Sequence, residues 1–378
     1  MVSTIIPAQD PIPCLLCGAY AISEITLNFS CFRHLDFSSI DDKLALASCR
    51  QCGTLRNLSS TLLEKTKPLF YSKQYADSKQ TGQLVQVAEF PRPVSKSFLQ
   101  AELISQLLEN PPQRILDLGC FDGLLLKNLK DRFPQAQCHG FDINPYLHDI
   151  FPDREDFYLW INNFDAVEPP FDLICLTHSI MYMENLPEIL TKIKELLAPN
   201  GKIFYQIPDV LKNPYGLLLG DQTWYFYRHN IDMLFARFGF CVQHSDSRWF
   251  SRETFGMAGL AKVADLSEYT ELNILPQIIS SLDSLSDKLL KSTPAQQKVG
   301  VLGTTINAAF ANTILKDRCS YFIEENSAKS GQQFHGKPVI HPQQLTADQV
   351  VLIPYGESAL SLSERFANNY EGIFISID

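Results

Sequence analysis

Two pairs of cysteines have the spacing of a metal site. The pairs are Cys14-Leu-Leu-Cys17 and Cys49-Arg-Gln-Cys52, and a glycine follows each of them. Two intervening residues let both thiolates of a pair face one ion, and the glycine suits the tight turn that this requires. Two such pairs supply four sulfur ligands in a tetrahedron, which leaves no open position for a catalytic water. The sequence therefore predicts structural zinc held by Cys14, Cys17, Cys49 and Cys52.

The same segment leaves two alternatives open. Cys31 and His34 lie between the two pairs and could compete as ligands. A redox dithiol is another interpretation of one Cys-x-x-Cys pair, although two paired motifs favour a metal. The first residues lack the basic and apolar regions of a secretion signal, so we expect a cytoplasmic protein in which the 10 cysteines stay reduced.

A second group of residues has the pattern of a ligand-binding turn. Residues 114–118 read as a buried parallel strand, a turn containing Gly119 and Gly123 follows, and a helix begins after it. The next strand, residues 137–142, ends in an acid placed to accept the ribose hydroxyls of a nucleoside. A dinucleotide-binding turn needs a third glycine, and Asp122 inside this turn would repel a pyrophosphate. The pattern favours a nucleoside cofactor without phosphates.

The pattern Asp117-x-Gly-x-x-x-Gly123, followed by Asp142, resembles motif I of the class I S-adenosylmethionine-dependent methyltransferases. In that family the glycines let the backbone approach the cofactor, the first acid helps to hold its methionine end, and the later acid binds its ribose. The resemblance implies an α/β fold with a Rossmann-like, doubly wound sheet and the cofactor at the carboxyl ends of its strands. The cofactor-binding residues predicted on this basis are Asp117, Gly119, Cys120, Gly123, Asp142 and Ile143. Tyr75, in a tyrosine–serine stretch before the core, is a further predicted cofactor-binding residue that could instead contact the substrate or fill the joint between domains.

Hydrophobic periodicity predicts the elements that carry these residues. In the core we expect helices over 96–110, 124–129, 186–197 and within 225–238, a strand over 170–176, a turn into a strand near 198–205, and two antiparallel strands near 242–249 and 257–263. Residues 266–291 predict an amphipathic connecting helix interrupted at Pro276. A second strand–turn–helix begins at Lys298, and further apolar runs near 321–323, 350–353 and 373–375 predict a smaller α/β unit.

The order of these parts resembles the three-domain sugar C-methyltransferases. The likeness includes Cys-x-x-Cys-Gly at both ends of the first module and the segment 322–331 in the last one. It implies a zinc-ribbon-like module at 1–65, a methyltransferase domain at 66–265, a helical connector at 266–295 and a Rossmann-like α/β domain at 296–378. It also implies a reaction on a nucleotide-linked keto-deoxysugar, in which a base removes the proton next to the carbonyl and the enolate attacks the methyl group.

The catalytic residues carry over from that family only in part. Its Tyr-x-Glu-His turn aligns with Phe226-Tyr-Arg-His229, which keeps the histidine and lacks the first tyrosine and the glutamate. The candidates implied are His229 as the base, Tyr227 or Tyr225 as a replacement phenol, and Tyr182 where the family has a histidine. His178 is interpreted as a packed or surface imidazole. These departures favour methyl transfer in general over sugar C-methylation, because an oxygen or nitrogen nucleophile needs less help from a base.

The composition of the chain limits the classes of partner that it could bind. The chain has 378 residues, 45% of them hydrophobic and 20% charged, which is enough for several folded domains. Its net charge of −10 argues against a nucleic-acid partner, and no apolar stretch reaches the ~18 residues of a membrane span. We expect a small-molecule acceptor, for which the resemblance suggests a nucleotide sugar. A non-catalytic cofactor-binding or assembly protein is the main alternative, and an NAD-dependent oxidoreductase is the weakest.

Overall fold

The structure is a computed structural model that describes residues 4–7, 13–20, 22–27, 29–34, 36–78, 84–85, 89–90, 94–152, 155–261 and 274–378. The first module is mostly antiparallel sheet, followed by two helices. Its elements are β1 (Thr4–Pro7), β2 (Ile22–Leu27), β3 (Cys31–Phe32), β4 (Ser39–Ile40), β5 (Leu44–Cys49), β6 (Leu55–Asn57), α1 (Ser60–Phe70) and α2 (Lys73–Ser78). The predicted module boundary after residue 65 falls inside α1.

The central domain is a seven-stranded sheet with helices on both faces. Its elements are β7 (Leu84–Val85), β8 (Val94–Ser95), α3 (Lys96–Leu107), β9 (Arg114–Leu118), α4 (Leu124–Arg132), β10 (Gln137–Asp142), β11 (Phe157–Ile161), β12 (Phe171–Thr177), α5 (Leu186–Leu196), β13 (Leu197–Pro208), β14 (Trp224–Tyr225), α6 (Arg228–Arg237), β15 (Phe240–Ser245) and β16 (Glu253–Leu260). The strand order is β11-β10-β9-β12-β13-β16-β15, and β16 is antiparallel to both of its neighbours. The predicted doubly wound α/β core is confirmed.

Alternation along the parallel strands places apolar side chains on both faces of this sheet. Ile115 and Leu173 pack with Leu126 of α4, whereas the adjacent Leu116 and Ile174 pack on the other face. Each fully buried aliphatic side chain contributes about 1.5–3 kcal/mol. The order of the strands reverses between β9 and β12, and this is the point at which open α/β sheets bind ligands.

A strand of the central domain completes the sheet of the first module. The strand β14 pairs antiparallel with β6, which gives the order β1-β2-β5-β6-β14. Asn57 strengthens the joint, because its side-chain amide donates to the carbonyls of Gly220 and Gln222 at 2.9 and 3.1 Å. The two parts therefore share one sheet.

The C-terminal part is a second, smaller α/β unit, as predicted. Its elements are α7 (Leu275–Lys291), β17 (Val299–Leu302), α8 (Ile306–Leu315), β18 (Cys319–Ile323), β19 (Gln333–Phe334), β20 (Lys337–Ile340), β21 (Val350–Ile353), α9 (Ala359–Asn369) and β22 (Ile373–Ser376). The strand order is β19-β20-β18-β17-β21-β22, in which all pairs are parallel except β19 with β20.

One detail differs from expectation in this part of the chain. Pro276 lies in the first turn of α7, where its fixed φ and missing N–H are tolerated, so it begins the helix instead of interrupting it. The first part of the predicted connector, 266–273, lies outside the described residues.

At the turn after β17, a Cβ on Gly303 would lie 2.2 Å from the phenol oxygen of Tyr355, so the Tyr355 ring covers the turn. No helix among the described residues is both long and apolar enough to cross a membrane.

Candidate functional site

The turn after β9 brings the backbone close to neighbouring elements, as its glycines predict. Gly119 has φ +90°, and a Cβ on it would lie 2.6 Å from the Cβ of Ser179. Gly123 has φ +68°, and a Cβ there would lie 2.6 Å from Pro152 Cδ. A larger residue at either position would strain the backbone and collide with its neighbour. The turn therefore needs glycine at both predicted positions.

The carboxylate of Asp142 lies at the end of β10, beside this turn. One oxygen accepts a hydrogen bond from the backbone N–H of Phe121 at 3.0 Å. The other accepts from the N–H groups of Ile143 and Asn144 at 2.7 and 3.0 Å. These donors fix the orientation of the carboxylate beside the turn. Ile143 contributes through its backbone.

Asp117 is buried in β9 at the base of the turn. It is 2% exposed, and its Oδ1 has no hydrogen-bond partner among the described residues. Burial, together with the nearby Asp142 and Asp122, raises the pKa of Asp117 to about 8. The hydroxyl of Ser179 is likewise buried and unpartnered in the described part of the chain. A buried acid beside two further acids fits a ligand that brings a positive charge, such as an ammonium group.

Cys120 has a different part in the turn from the one predicted. Its backbone N–H donates to the carbonyl of Phe141 at 3.0 Å. Its side chain is buried, and a Cβ on Gly140 would lie 2.6 Å from the Cys120 sulfur. The thiol therefore packs into the sheet, and only the main chain of Cys120 shapes the turn.

The four predicted metal-binding cysteines form one cluster. All four sulfur atoms lie within 4.8 Å of one another, and the contacts Cys14–Cys52 and Cys17–Cys49 are 3.7 and 3.6 Å. A zinc ion with Zn–S bonds of ~2.3 Å has S···S edges of about 3.8 Å in a tetrahedron, so the cluster fits zinc. Gly18 and Gly53, at φ +79° and +66°, close the two turns through N–H bonds to the carbonyls of Cys14 and Cys49.

The competing ligands lie apart from this cluster. Cys31 is in β3, where burial raises the pKa of its thiol to about 12. The backbone N–H of His34 donates to the carboxylate of Asp221 at 2.6 Å, and its ring lies edge-on to Tyr182. Neither joins the sulfur cluster, as the preference for the four symmetric cysteines predicts.

A line of aromatic rings connects two of the predicted residues to the turn. Tyr182 contacts Phe70, Phe70 contacts Tyr75, and Tyr75 contacts Phe121, with ring centroids 5.0, 5.3 and 5.6 Å apart. Burial raises the pKa of Tyr182 far above its usual value, so its phenol stays protonated. The structure thus brings Tyr75 and Tyr182 together beside the glycine turn. There they can act as hydrogen-bond donors or as packing surfaces.

The other two tyrosines occupy different positions from those predicted. The Tyr225 phenol is fully buried and donates to the carbonyl of Leu219 at 2.8 Å. The Tyr227 phenol is also buried and donates to the carbonyl of Cys52 at 3.1 Å. We therefore correct the prediction that one of them replaces a catalytic phenol, because both hydroxyls are committed to the joint with the first module.

His229 lies in the first turn of α6. Its ring stacks on the ring of Tyr227, with centroids 6.2 Å apart. The negative charge of Asp232 also acts on it. Burial lowers the pKa of His229, and Asp232 partly opposes this effect. The role of His229 as the base stays a prediction.

His178 belongs to a polar cluster that the sequence did not indicate. Its Nε2 lies 3.0 Å from Glu253 Oε2 and 2.8 Å from Lys96 Nζ, and Lys96 is 2.7 Å from Glu253 Oε1. The side-chain amide of Gln206 also donates to Glu253. Burial raises the pKa of Glu253, but His178 and Lys96 outweigh it and hold this pKa well below its usual range.

Part of the chain is similar to proteins of a known family. Residues 95–254 match a methyltransferase domain. The match runs from the start of α3 into β16 and includes the glycine turn, Asp142 and the His178 cluster.

Curated relatives of this chain include trans-aconitate 2-methyltransferases. The enzyme of Escherichia coli K12 (DH10B) is 27% identical over 127 residues, which is 32% of this chain and 50% of the relative. That of Yersinia pestis Pestoides F is 29% identical over 122 residues, 30% and 45% of the two chains. The chain thus spans about half the length of the curated relatives it matches.

Solved structures that resemble this chain include methyltransferases. CcbJ from Streptomyces caelestis has 15% identity and a TM-score of 0.39, over 51% of this chain and 98% of that one. Human N-acetylserotonin methyltransferase in complex with SAM has 20% identity and a TM-score of 0.37, over 44% and 51%.

Sequence reasoning missed Ser179, Asn144 and the partners of His178. Asn144 donates from its side chain to the carbonyls of Phe70 and Ser72, and so holds the corner between α1 and α2 next to Asp142. Ser179 could have been found from its place just after a predicted parallel strand, where ligand-binding residues occur in such sheets. The sequence around Glu253 has no comparable feature that would indicate a functional role.

Proposed function

We propose that this protein is an S-adenosylmethionine-dependent methyltransferase that acts on a small molecule. The observation that carries the proposal is the glycine turn between Asp117 and Asp142. Asp117 has a buried carboxylate oxygen without a hydrogen-bond partner among the described residues, and backbone N–H groups fix the carboxylate of Asp142. Asp142 would accept the ribose hydroxyls, and Asp117 would accept the ammonium of the methionine end. The cofactor, when bound, supplies an electrophilic methyl group on a sulfonium.

We further propose, as the finer assignment, C-methylation of a nucleotide-linked keto-deoxysugar. Support comes from the three-part organisation with its four-cysteine cluster and second α/β unit. A second candidate is methyl transfer to oxygen or nitrogen of another small molecule. It is favoured by the commitment of the Tyr225 and Tyr227 phenols to structural bonds and by Arg228 where the glutamate of the turn is expected.

We propose a structural role for zinc at the four cysteines. Four sulfur ligands leave no site for water or acceptor on the metal, and the cluster packs against α6. The metal would stabilise the joint between the first module and the core.

Titration calorimetry of the full chain with S-adenosylhomocysteine tests the cofactor assignment, and micromolar or tighter binding is expected. A panel containing a nucleotide-linked keto-deoxysugar and small carboxylic acids, incubated with methyl-labelled S-adenosylmethionine, then tests the acceptor class. Binding without any labelled product would favour the non-catalytic alternative, and no binding would refute the methyltransferase proposal.

A further inference from the structure

The cluster around His178 is assembled from four separate elements at the carboxyl edge of the central sheet. Lys96 begins α3, His178 follows the last residue of β12, Gln206 lies near the end of β13, and Glu253 begins β16. Because β16 runs antiparallel to β13, its first residue pairs with the last residue of β13. This is the edge at which α/β sheets of this type hold their ligands.

Residues on either side of His178 belong to the cofactor site. Thr177 forms a side-chain hydrogen bond with Asp117, and the Cβ of Ser179 lies against Gly119. His178 itself has φ +53°, a conformation that is uncommon for a residue with a side chain and costs of order 1 kcal/mol. Such backbone conformations persist where surrounding structure enforces them, and they concentrate at functional sites.

The hydrogen bonds of His178 suit an imidazole that changes its charge. Lys96 can only donate a hydrogen bond, and ionised Glu253 can only accept one. A protonated Nε2 therefore donates to Glu253, and in the neutral ring this leaves Nδ1 as the nitrogen that can take up a proton. Glu253 remains a carboxylate near neutral pH because of its low pKa, so it faces the imidazolium as a counter-charge. The carboxylate stabilises the imidazolium, and the ammonium of Lys96 opposes this effect.

Glu253 also lines a space that could hold a small molecule. A cavity of about 380 Å³ is lined by residues that include Glu253, Phe250, Phe255 and Lys212. Its size lies at the lower end of small-molecule sites, and it combines aromatic walls with charged groups.

We infer that His178 is the base of the proposed methyl transfer and that Glu253 is its positioning residue. This inference rests on the proposed function. It transfers the acid–base role from the altered turn at 226–229, whose glutamate is missing, to the histidine–carboxylate pair of His178 and Glu253. Glu253 orients the ring through Nε2 and stabilises its protonated form.

The step balances with the proposed reactants alone. His178 takes the proton from the carbon next to the acceptor carbonyl, and the electron pair of that C–H bond becomes the enolate. The enolate carbon forms a bond to the methyl carbon while the C–S bond breaks and its electron pair stays on sulfur. The sulfonium becomes a neutral thioether, and His178 then releases its proton to solvent.

Proton abstraction can be measured without methyl transfer. The full chain is incubated in D2O with S-adenosylhomocysteine and a nucleotide-linked keto-deoxysugar, and deuterium incorporation next to the carbonyl is followed by NMR. We expect His178→Asn to slow the exchange at least ~100-fold, the lower range for removal of a general base. His341→Asn, the same change at a hydrogen-bonding cap in the C-terminal unit, should leave the rate unchanged.

The pH profile of the exchange distinguishes a positioning role of Glu253 from a purely structural one. Glu253→Gln should move the apparent pKa of the exchange downward, because the imidazolium loses its counter-charge, and Glu253→Asp should restore much of the shift. Binding of S-adenosylhomocysteine, measured by calorimetry, should be retained by all variants and shows that they fold.

Three results would overturn the inference. If His229→Asn abolishes exchange and His178→Asn does not, the base is His229. If the wild type binds S-adenosylhomocysteine and gives no exchange, the carbon-acid role assigned to His178 is wrong while the cofactor proposal stands. If the wild type does not bind S-adenosylhomocysteine at all, the proposed function fails and the inference fails with it.

Discussion

The phenol of Tyr227 donates a hydrogen bond to the carbonyl oxygen of Cys52 across 3.1 Å. Tyr227 immediately precedes α6, and Cys52 is one of the four clustered cysteines. At the other end of α6, the guanidinium of Arg237 lies against Gly18, whose ideal Cβ would be 3.5 Å from Arg237 Nη1. The two cysteine turns thus contact both ends of one helix of the central domain.

Loss of the metal should therefore destabilise the central domain as well as the first module. We expect Cys49→Ser to abolish zinc binding and to lower the free energy of unfolding by more than about 3 kcal/mol. Metal analysis of the purified protein and thermal unfolding measure the two effects. Cys241→Ser changes an exposed cysteine and should alter neither. A Cys49→Ser protein with full zinc content and unchanged melting would contradict the assignment.

Removing the carboxylate at the end of β10 should weaken cofactor binding. Asp142→Ala loses charge-assisted hydrogen bonds to the ribose, worth ~1.5–3 kcal/mol, or roughly a 10- to 150-fold increase in Kd. Calorimetry with S-adenosylhomocysteine measures the change. Asp131→Ala, which removes an exposed acid of α4, is the matched control, and equal affinities in the two variants would argue against ribose binding by Asp142.

The buried acid of β9 should make the free protein less stable at alkaline pH. The folded pKa of Asp117, about 8, exceeds the unfolded value near 3.9, so folding favours the protonated form. Its contribution is fully present below pH ~4 and is lost as the pH rises through about 8. Asp117→Asn should remove this dependence and raise the melting temperature relative to wild type above pH 8. Parallel melting curves for the two proteins from pH 5 to 9 would show that the prediction is wrong.

A histidine of β10 should weaken the fold in acid. His139 stacks between Tyr158 and Trp160 at centroid distances of 4.7 and 5.2 Å, and neither ring nitrogen has a hydrogen-bond partner in the described part of the chain. Burial, assisted by Arg114, lowers the pKa of His139 to about 4. Its stabilising contribution is therefore present above the unfolded pKa near 6.5 and is lost as the pH falls through about 4.

Urea unfolding measures this effect. Between pH 7 and pH 4.5 we expect the wild type to lose about 1–3 kcal/mol through this residue, and His139→Phe, which keeps an aromatic ring in the stack, to lose correspondingly less. An identical acid sensitivity of the two proteins would place the titrating group elsewhere.

The features that the sequence predicted are those determined over short stretches of chain. Gly18 and Gly53 follow their cysteines directly, and the turn from Asp117 to Gly123 needs only its own residues and the next strand. For these positions, residue type and spacing contain the conformational requirement. The parallel order of the core strands follows from alternating strands and helices, since such connections are right-handed and local.

The features that escaped prediction depend on residues far apart in the sequence. The partners of His178 are 82 and 75 residues away, and nothing in the local sequence indicates that they meet. Tyr225 and Tyr227 lie close to the aligned catalytic turn, yet long-range contacts with the first module determine where their hydroxyls point. Spacing alone could not distinguish a catalytic phenol from one that supports a joint.

The pairing of β14 with β6 determines when the sheet of the first module can be completed during synthesis. Asn57 binds to Gly220, 163 residues further along, and β14 follows immediately after. A nascent chain that leaves the ribosome with only its first 57 residues exposes an unpaired edge strand, which invites association with other chains. The exposed edge is covered only after most of the central domain has been synthesised, so an early zinc-bound intermediate would emerge with one side of β6 still unpaired.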